Sequence, residues 1–202
     1  MIRRPQRSTL LPSPTLFRSV SKDLREGVRL SIEIIANEVV RRRAAQGLEP
    51  LPQAEAQELA RHALRYLYRI LFLLFAEASP ELGVLPVGDP AYEQGYSLDR
   101  LRELTLVEIA GPRATDGTHL YQSLATLFAL VDQGHDGAAG ASRGEQVDGE
   151  MQRLDDGADG LTFQPLKADL FLPKATAHIV AVGLGIAALQ SVLRHPPLSK
   201  ES

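Results

Sequence analysis

Three arginines, Arg61, Arg65 and Arg69, follow one another at intervals of four residues in a segment whose pattern predicts a helix. That spacing places them on one ridge of the helix, where a line of cations could run along a DNA phosphate backbone. The alternative is an ordinary solvated face supported by ion pairs with neighbours such as Glu58. Because Arg69 lies inside an apolar run, we expect its guanidinium to reach a buried carboxylate, either Glu77 or one in another domain. We favour the solvated face and keep the three arginines as candidate DNA-backbone contacts.

The histidines do not form a recognisable metal site. No two of them stand at i and i+4, and none has a carboxylate placed to complete a familiar ligand set. Cysteine is absent, which excludes disulfides, thiolate ligands and cysteine nucleophiles. We therefore predict no catalytic, cofactor-binding or metal-ligating residues, and we interpret the histidines as scattered surface or capping residues: His62, His119, His135, His178 and His195.

A glycine pair near the end of the chain, Gly183 and Gly185, is similar to part of a nucleotide-binding loop. A dinucleotide fingerprint also needs a strand before the loop, a further small residue three positions on, and an acid about twenty residues later. Position 188 is alanine, which some fingerprints tolerate, but no second strand follows. We interpret these glycines as a loop that enters the last helix.

The hydrophobic pattern predicts a mainly α fold built on a helical hairpin, with little or no β structure. The first helix is predicted over Ser21–Ala45, with Ser21 as its N-cap, and the second over about Gln53–Ala78. Gly47 and the prolines at 50 and 52 indicate the turn between them. The second half of the second helix is apolar on nearly all sides, which predicts a central position. The buried face of the first helix is expected to consist of Leu24, Val28, Ile32, Ile35 and Val39.

Three further helices are predicted. Ser97 caps a helix to about Ile109 whose core residues are Leu98, Leu101 and Leu104, and a last helix covers Leu184–Arg194. Between them, Thr118 caps a helix that ends at Gln133, with Gly134 after its last turn. Its buried stripe is predicted to be Leu120, Leu124, Leu127, Phe128 and Val131.

Composition divides the chain into four parts. Residues 1–20, rich in proline and arginine, are either a disordered arm or a translated sequencing artefact. Residues 21–134 form the helical domain. Residues 135–160 are rich in glycine and acids and predict a flexible linker, because they cannot bury enough surface to offset the entropy of ordering. Residues 161–202 predict an extended segment or short strand pair, followed by the terminal helix.

Charge and hydropathy exclude two classes of protein. The net charge is −3 and the pI about 6.0, so the chain has no global basic field of the kind that stand-alone nucleic-acid binders carry. The longest apolar stretch, Tyr66–Ala76, contains Arg69 and is shorter than the ~20 residues that span a bilayer. We expect no membrane span, no secretory signal and a cytoplasmic protein.

Five segments resemble, in the same order, the helical region that precedes the methylase domain in large restriction–modification enzymes of the type IIG class and their phage-defence relatives. The resemblance covers roughly residues 22–202. The segments are L-R-Y-L-Y-R-I-L-F-L-L-F-A-E-A at 64–78, E-L-G-V-L-P at 81–86, Y-S-L-D-R-L-R at 96–102, L-Y-Q-S-L-A-T-L-F-A-L-V-D-Q-G at 120–134 and F-Q-P-L-K-A-D-L-F-L-P at 163–173.

The resemblance implies a site-specific, adenine-specific DNA methyltransferase that transfers methyl from S-adenosylmethionine to adenine N6. Those enzymes bind the cofactor through a D-P-A-x-G-S-G loop and flip the adenine into an N-P-P-Y site. Neither motif occurs here, and H-P-P-L at 195–198 lacks the Asn and the Tyr. The chain therefore resembles a non-catalytic fragment, with residues 161–202 leading toward a missing methylase domain that packs in cis, and with DNA bound through the parent enzyme.

Two functions follow as hypotheses. The first is the helical fragment of such a methyltransferase, inactive alone and expected to expose the apolar face of Leu184–Leu193. The second is a free-standing helical protein-interaction module with no enzymatic activity, expected to be monodisperse and to unfold cooperatively.

Overall fold

A computed structural model describes residues 14–108, 111–137 and 161–194 of the chain. Within these ranges the fold is mainly α, as predicted, and its β structure is a single two-stranded sheet. Residues 1–13 of the predicted arm, 138–160 of the predicted linker and 195–202 lie outside the described residues. Across the ranges described, each helix is too short or too polar to cross a lipid bilayer.

Two long helices form the predicted hairpin at the centre of the fold. Helix α1 spans Pro14–Ala45, and helix α2 spans Ala56–Ala78 after a 3-10 turn at Gln53–Glu55. Gly47 ends the first helix with a φ of 69°, a conformation that costs glycine little. α2 has the central position expected of it, because it contacts α1, the helix that follows Ser97 and the segments between 169 and 180.

The first helix differs from its prediction in two respects. It begins at Pro14, so Ser21 lies inside it and is not its N-cap, and proline suits a first helical turn. The predicted buried face is correct for Ile35 and Val39, which are fully buried, whereas Leu24 is 46% exposed. α1 has 32 residues and α2 has 23, so α2 cannot pack along the whole length of α1.

Four helices lie between α2 and residue 134, and two of them carry the predicted buried residues. α4 begins after Ser97, whose hydroxyl accepts a hydrogen bond from the amide of Arg100. It ends at Leu104 and not near Ile109, and Leu104, predicted as a core residue, is 40% exposed in the last turn. All five predicted core residues of α6 are buried, although Thr118 makes no capping side-chain bond. The bounds are α3 Pro90–Gly95, α4 Leu98–Leu104, α5 Pro112–Thr115 and α6 His119–Gln133.

A short antiparallel sheet joins the end of α6 to the last part of the chain. Strand β1, His135–Asp136, pairs with strand β2, Thr162–Phe163, so that His135 lies opposite Phe163. Residues 135 and 136, predicted as the start of the linker, are therefore part of a strand. The described residues after 160 therefore contribute one strand to this sheet, and the short strand pair predicted as one of two forms within that segment is not formed there.

The last part of the chain closes the core. Two 3-10 turns, Asp169–Phe171 and Pro173–Thr176, lead into α7, Ala177–Val180, and then α8, Ile186–Arg194. α8 packs against α1 and α6. Its apolar residues are buried, so the expectation that a fragment would expose the face of Leu184–Leu193 is wrong for this structure. That face is covered by helices of the same chain.

Candidate functional site

An apolar stripe on the outer side of α2 is the main exposed feature of the hairpin. Leu64, Tyr68, Leu71 and Phe75 are spaced by four, three and four residues, which keeps them within an arc of about 60° at ~100° per residue. Tyr68 is 49% exposed and Phe75 is 61% exposed, while the two leucines are half-buried. We call these four residues the outer stripe. Such a face on a helix is typical of a surface that contacts another protein or domain.

Arg61 and Arg65 border the outer stripe and share one acidic neighbour. The Nη1 atom of Arg61 lies 3.0 Å from a carboxylate oxygen of Glu58, and the Nη1 atom of Arg65 lies 3.6 Å from the other oxygen. The arginine side chains are 55% and 44% exposed. This is the solvated, ion-paired face that the sequence favours, and contact with DNA stays a prediction for these two residues.

Arg69 does not share that face. Each step of four residues turns about 40° around the helix axis, so the ridge moves from solvent at Arg61 to the core two steps later. Arg69 is 4% exposed and donates hydrogen bonds to the carbonyls of Leu170, at 2.7 Å, and Leu172, at 2.8 Å. Burial lowers the pKa of its guanidinium. Among the described residues its hydrogen-bond partners are these carbonyls and not Glu77; a carboxylate of another domain and contact with a DNA phosphate stay predictions for this buried side chain.

Glu77, the carboxylate expected to pair with Arg69, caps α4 instead. It accepts a hydrogen bond from the backbone N–H of Leu98 at 3.1 Å and lies 3.4 Å from the hydroxyl of Tyr92. Burial raises its pKa, while the Ser97 hydroxyl and the Leu98 amide lower it. A carboxylate at a helix N-terminus is favoured by the unpaired amides there, so this contact joins the end of α2 to α4.

A chain of four side chains that the sequence did not predict lies beside the first turn of α2. The Nδ1 atoms of His62 and His178 are 2.6 Å apart, although 116 positions separate the residues. The Nε2 atom of His62 lies 3.1 Å from Glu58, and that of His178 lies 3.0 Å from Glu55. His62 is 5% exposed. Its pKa is lowered first by burial and then by His178, and Glu58 opposes that shift.

This histidine pair holds α7 against the start of α2. The 2.6 Å between the nitrogens is the length of a short hydrogen bond, and it is too short for two nitrogens that each bind a tetrahedral zinc ion at about 2.0 Å. In the part of the chain that the structure describes, no group of three or more acidic or histidine side chains could hold a metal ion. The arrangement can share protons between two imidazoles and two carboxylates.

The glycine pair near the last helix does not form a cofactor cradle. Helix α7 precedes it where a dinucleotide or S-adenosylmethionine loop would need a strand. A Cβ at Gly185 would lie 2.7 Å from a carboxylate oxygen of Glu38, and the amide of Gly185 donates to that same carboxylate. These positions are filled by the protein itself, as expected for a loop entering α8. This glycine pair is therefore not the glycine loop of a dinucleotide or S-adenosylmethionine site.

Comparisons of the chain with protein-family models, with curated proteins and with solved structures found no match.

Proposed function

We propose that this chain is the non-catalytic helical part of a site-specific, adenine-specific DNA methyltransferase of a restriction–modification or phage-defence system. In the parent enzyme, S-adenosylmethionine supplies the methyl group that is transferred to adenine N6. The residues of this chain hold neither the cofactor nor the adenine. Their role is to present α2 as a rigid face on which the methylase domain packs, within a cytoplasmic enzyme that reaches DNA.

The observation that carries this proposal is the outer stripe. It lies within residues 64–78, the segment that most resembles the helix ahead of the methylase domain. Tyr68 and Phe75 are 49% and 61% exposed and lie on one face of the helix. Aromatic side chains with arginines at their border are the composition that protein interfaces favour over ordinary surface. A domain packed in cis would bury this face.

The first test reads the source DNA across both ends of the coding region. Support for the proposal is a reading frame that continues into a glycine-rich S-adenosylmethionine loop and an N-P-P-Y motif. The complete protein is then assayed for transfer of labelled methyl groups to DNA. A frame that contains neither motif contradicts the proposal, as does methyl transfer by the purified 202-residue chain alone.

A pair of variants in the complete protein tests the stripe itself. Phe75→Asp places a charge on the most exposed residue of the outer stripe, where burial without a partner is costly, and should lower methyl transfer or separate the domains in limited proteolysis. Val40→Asp makes the same change at a residue of α1 that is 50% exposed and outside the stripe. If the two variants have the same effect on methyl transfer and on proteolysis, the outer stripe is not part of the interface.

A free-standing helical interaction module is the second candidate function. The burial of α8 against α1 and α6 favours it, because the described core does not depend on a further domain to cover its last helix. Confirmed start and stop codons, together with a monodisperse chain that unfolds in one cooperative transition, would support this function over the first.

A further inference from the structure

Three aliphatic side chains at the end of α4 form an exposed apolar patch. Leu104 is 40% exposed, Leu106 71% and Val107 61%. Leu106 is the most exposed of the large apolar residues that the structure describes. We call these three residues the α4 patch. Single exposed apolar side chains are common on protein surfaces, whereas adjoining ones are typical of a surface that contacts another protein or domain.

The backbone of the α4 patch is held from the inside, although its side chains face solvent. Thr105, between the two exposed leucines, is buried. The side chain of Gln190, on α8, donates to the carbonyl of Val107 at 3.1 Å, and that of Arg194 donates to the carbonyl of Thr105. These contacts fix the position of the patch before any partner binds, which lowers the entropic cost of docking on it.

The chain leaves the described part of the fold beside the α4 patch. Arg194 is the last residue of α8 and the last described residue. Its hydrogen bond to Thr105 places the end of α8 one arginine side chain away from the patch. An extended chain advances by at most about 3.5 Å per residue, so residues 195–202 reach no more than about 28 Å from that point. A domain that follows them is therefore tethered next to the patch.

The size of the α4 patch favours a tethered occupant over a separate protein or a second copy of the chain. A stable complex between separate proteins buries about 800 Å² on each partner, contributed by roughly 20–30 residues. The α4 patch consists of three. A short tether raises the local concentration of its occupant to about the mM range, so a contact that is too weak between separate molecules is sufficient within one chain.

We propose that the α4 patch is a docking surface for the methylase domain of the parent enzyme, which covers Leu106 and Val107 with apolar side chains of its own. This inference rests on the proposed function and adds a second contact to the outer stripe. The first residue of α4 is bonded to Glu77, two residues after Phe75, and the seven residues of the helix extend about 10 Å from there to the patch. The separation of the two surfaces therefore allows one domain to contact both.

Cysteine labelling of the complete protein tests the proposal. The 202 residues contain no cysteine, so Leu106→Cys introduces one thiol into this part of the protein, at an exposed position. The matched control is Leu48→Cys, at a leucine that is 42% exposed in the turn after α1. Because a thiol must be accessible to react, an uncovered patch predicts that Leu106→Cys is alkylated at least as fast as Leu48→Cys. We expect its alkylation to be at least tenfold slower, measured by mass spectrometry of the modified peptides.

The outcomes separate this inference from the proposed function. A complete protein that methylates DNA but alkylates both variants at the same rate overturns the inference and leaves the proposed function intact. A complete protein with neither methylase motif overturns both. Slow alkylation of Leu106→Cys that disappears on hundredfold dilution assigns the patch to a second copy of the chain and also overturns the inference. Slow alkylation that does not change with protein concentration supports docking of the methylase domain in cis.

Discussion

His62 and His178 face each other through their Nδ1 atoms at 2.6 Å, and each presents its Nε2 atom to a glutamate. The three contacts along Glu58–His62–His178–Glu55 need three protons, because carboxylates only accept. Two neutral imidazoles carry two protons between them. All three contacts are therefore made when the pair holds one additional proton, and a second additional proton would place two N–H groups against each other.

Stability should decrease when the pH falls below the ordinary histidine range. The first additional proton completes the contacts of the pair, and the destabilising one is the second. Burial and the charge of His178 lower the pKa of His62 in the fold, so the unfolded chain takes up that second proton more readily than the folded chain does. The contribution of neutral His62 to the free energy of unfolding is complete above about pH 6.5. It is lost as the pH falls toward the lowered pKa of His62. Urea unfolding at pH 7.5 and at pH 5.5 measures the change in the free energy of unfolding.

Two glutamine variants separate this effect from general acid sensitivity. His62→Gln should show a smaller loss of stability between the two pH values than the natural chain, because it removes the imidazole whose pKa is lowered in the fold. His119→Gln changes an exposed histidine and should retain the full loss. The same pH dependence in His62→Gln as in the natural chain would contradict this account.

Replacing Arg69 should lower the free energy of unfolding far more than replacing Arg61, which lies on the same ridge of α2. Arg69→Met keeps much of the side-chain volume but leaves the carbonyls of Leu170 and Leu172 without donors, at a cost of about 3 kcal/mol or more. Arg61→Met removes an exposed ion pair with Glu58 and should cost less than about 1 kcal/mol. Urea unfolding of both variants at pH 7 measures the difference, and equal losses would show that the buried contacts contribute nothing.

Periodicity predicted the helices because burial on one face follows directly from local spacing. The five apolar residues of α6 that stand three and four apart are all buried, and the capping role of Ser97 needs only its neighbours. The helix ends were less predictable. α1 begins seven residues before Ser21, in a stretch whose proline is compatible with a first turn but gives no stronger signal.

The candidate site was less accessible to sequence reasoning because its contacts join distant positions. Glu58 stands four residues before His62, so half of the histidine chain was visible as a helix pair, but His178 lies 116 positions away. Arg69 was correctly identified as unusual inside an apolar run. Its partners are backbone carbonyls, which every residue carries, and no residue type could therefore point to them.

Gly134 should tolerate a side chain much less well than Gly47. Gly134 has φ 76° and ψ 169°, a region that is almost restricted to glycine, and an added Cβ would lie 2.9 Å from Pro165 and 3.0 Å from the carbonyl oxygen of Phe163. Gly134→Ala should therefore cost about 3 kcal/mol. Gly47 also has a positive φ, but a Cβ added there would meet no atom within 4 Å. Gly47→Ala should therefore cost about 1 kcal/mol. Urea unfolding distinguishes the two, and equal costs would mean that β2 does not pack on this turn.

Salt dependence of DNA affinity decides whether Arg61 and Arg65 contact phosphates. Both are paired with Glu58, so a phosphate must compete with that carboxylate. If both contact DNA, the slope of log affinity against log salt for a labelled duplex should fall by about 1.8 in the Arg61→Ala, Arg65→Ala double variant. Glu58→Gln should strengthen binding, because it releases both guanidiniums.

Arg29→Ala, which removes an exposed arginine of α1 that is paired with Glu26 and Glu33, is the control and should leave the slope unchanged. An unchanged slope in the double variant would assign the two arginines to a solvated helix face alone.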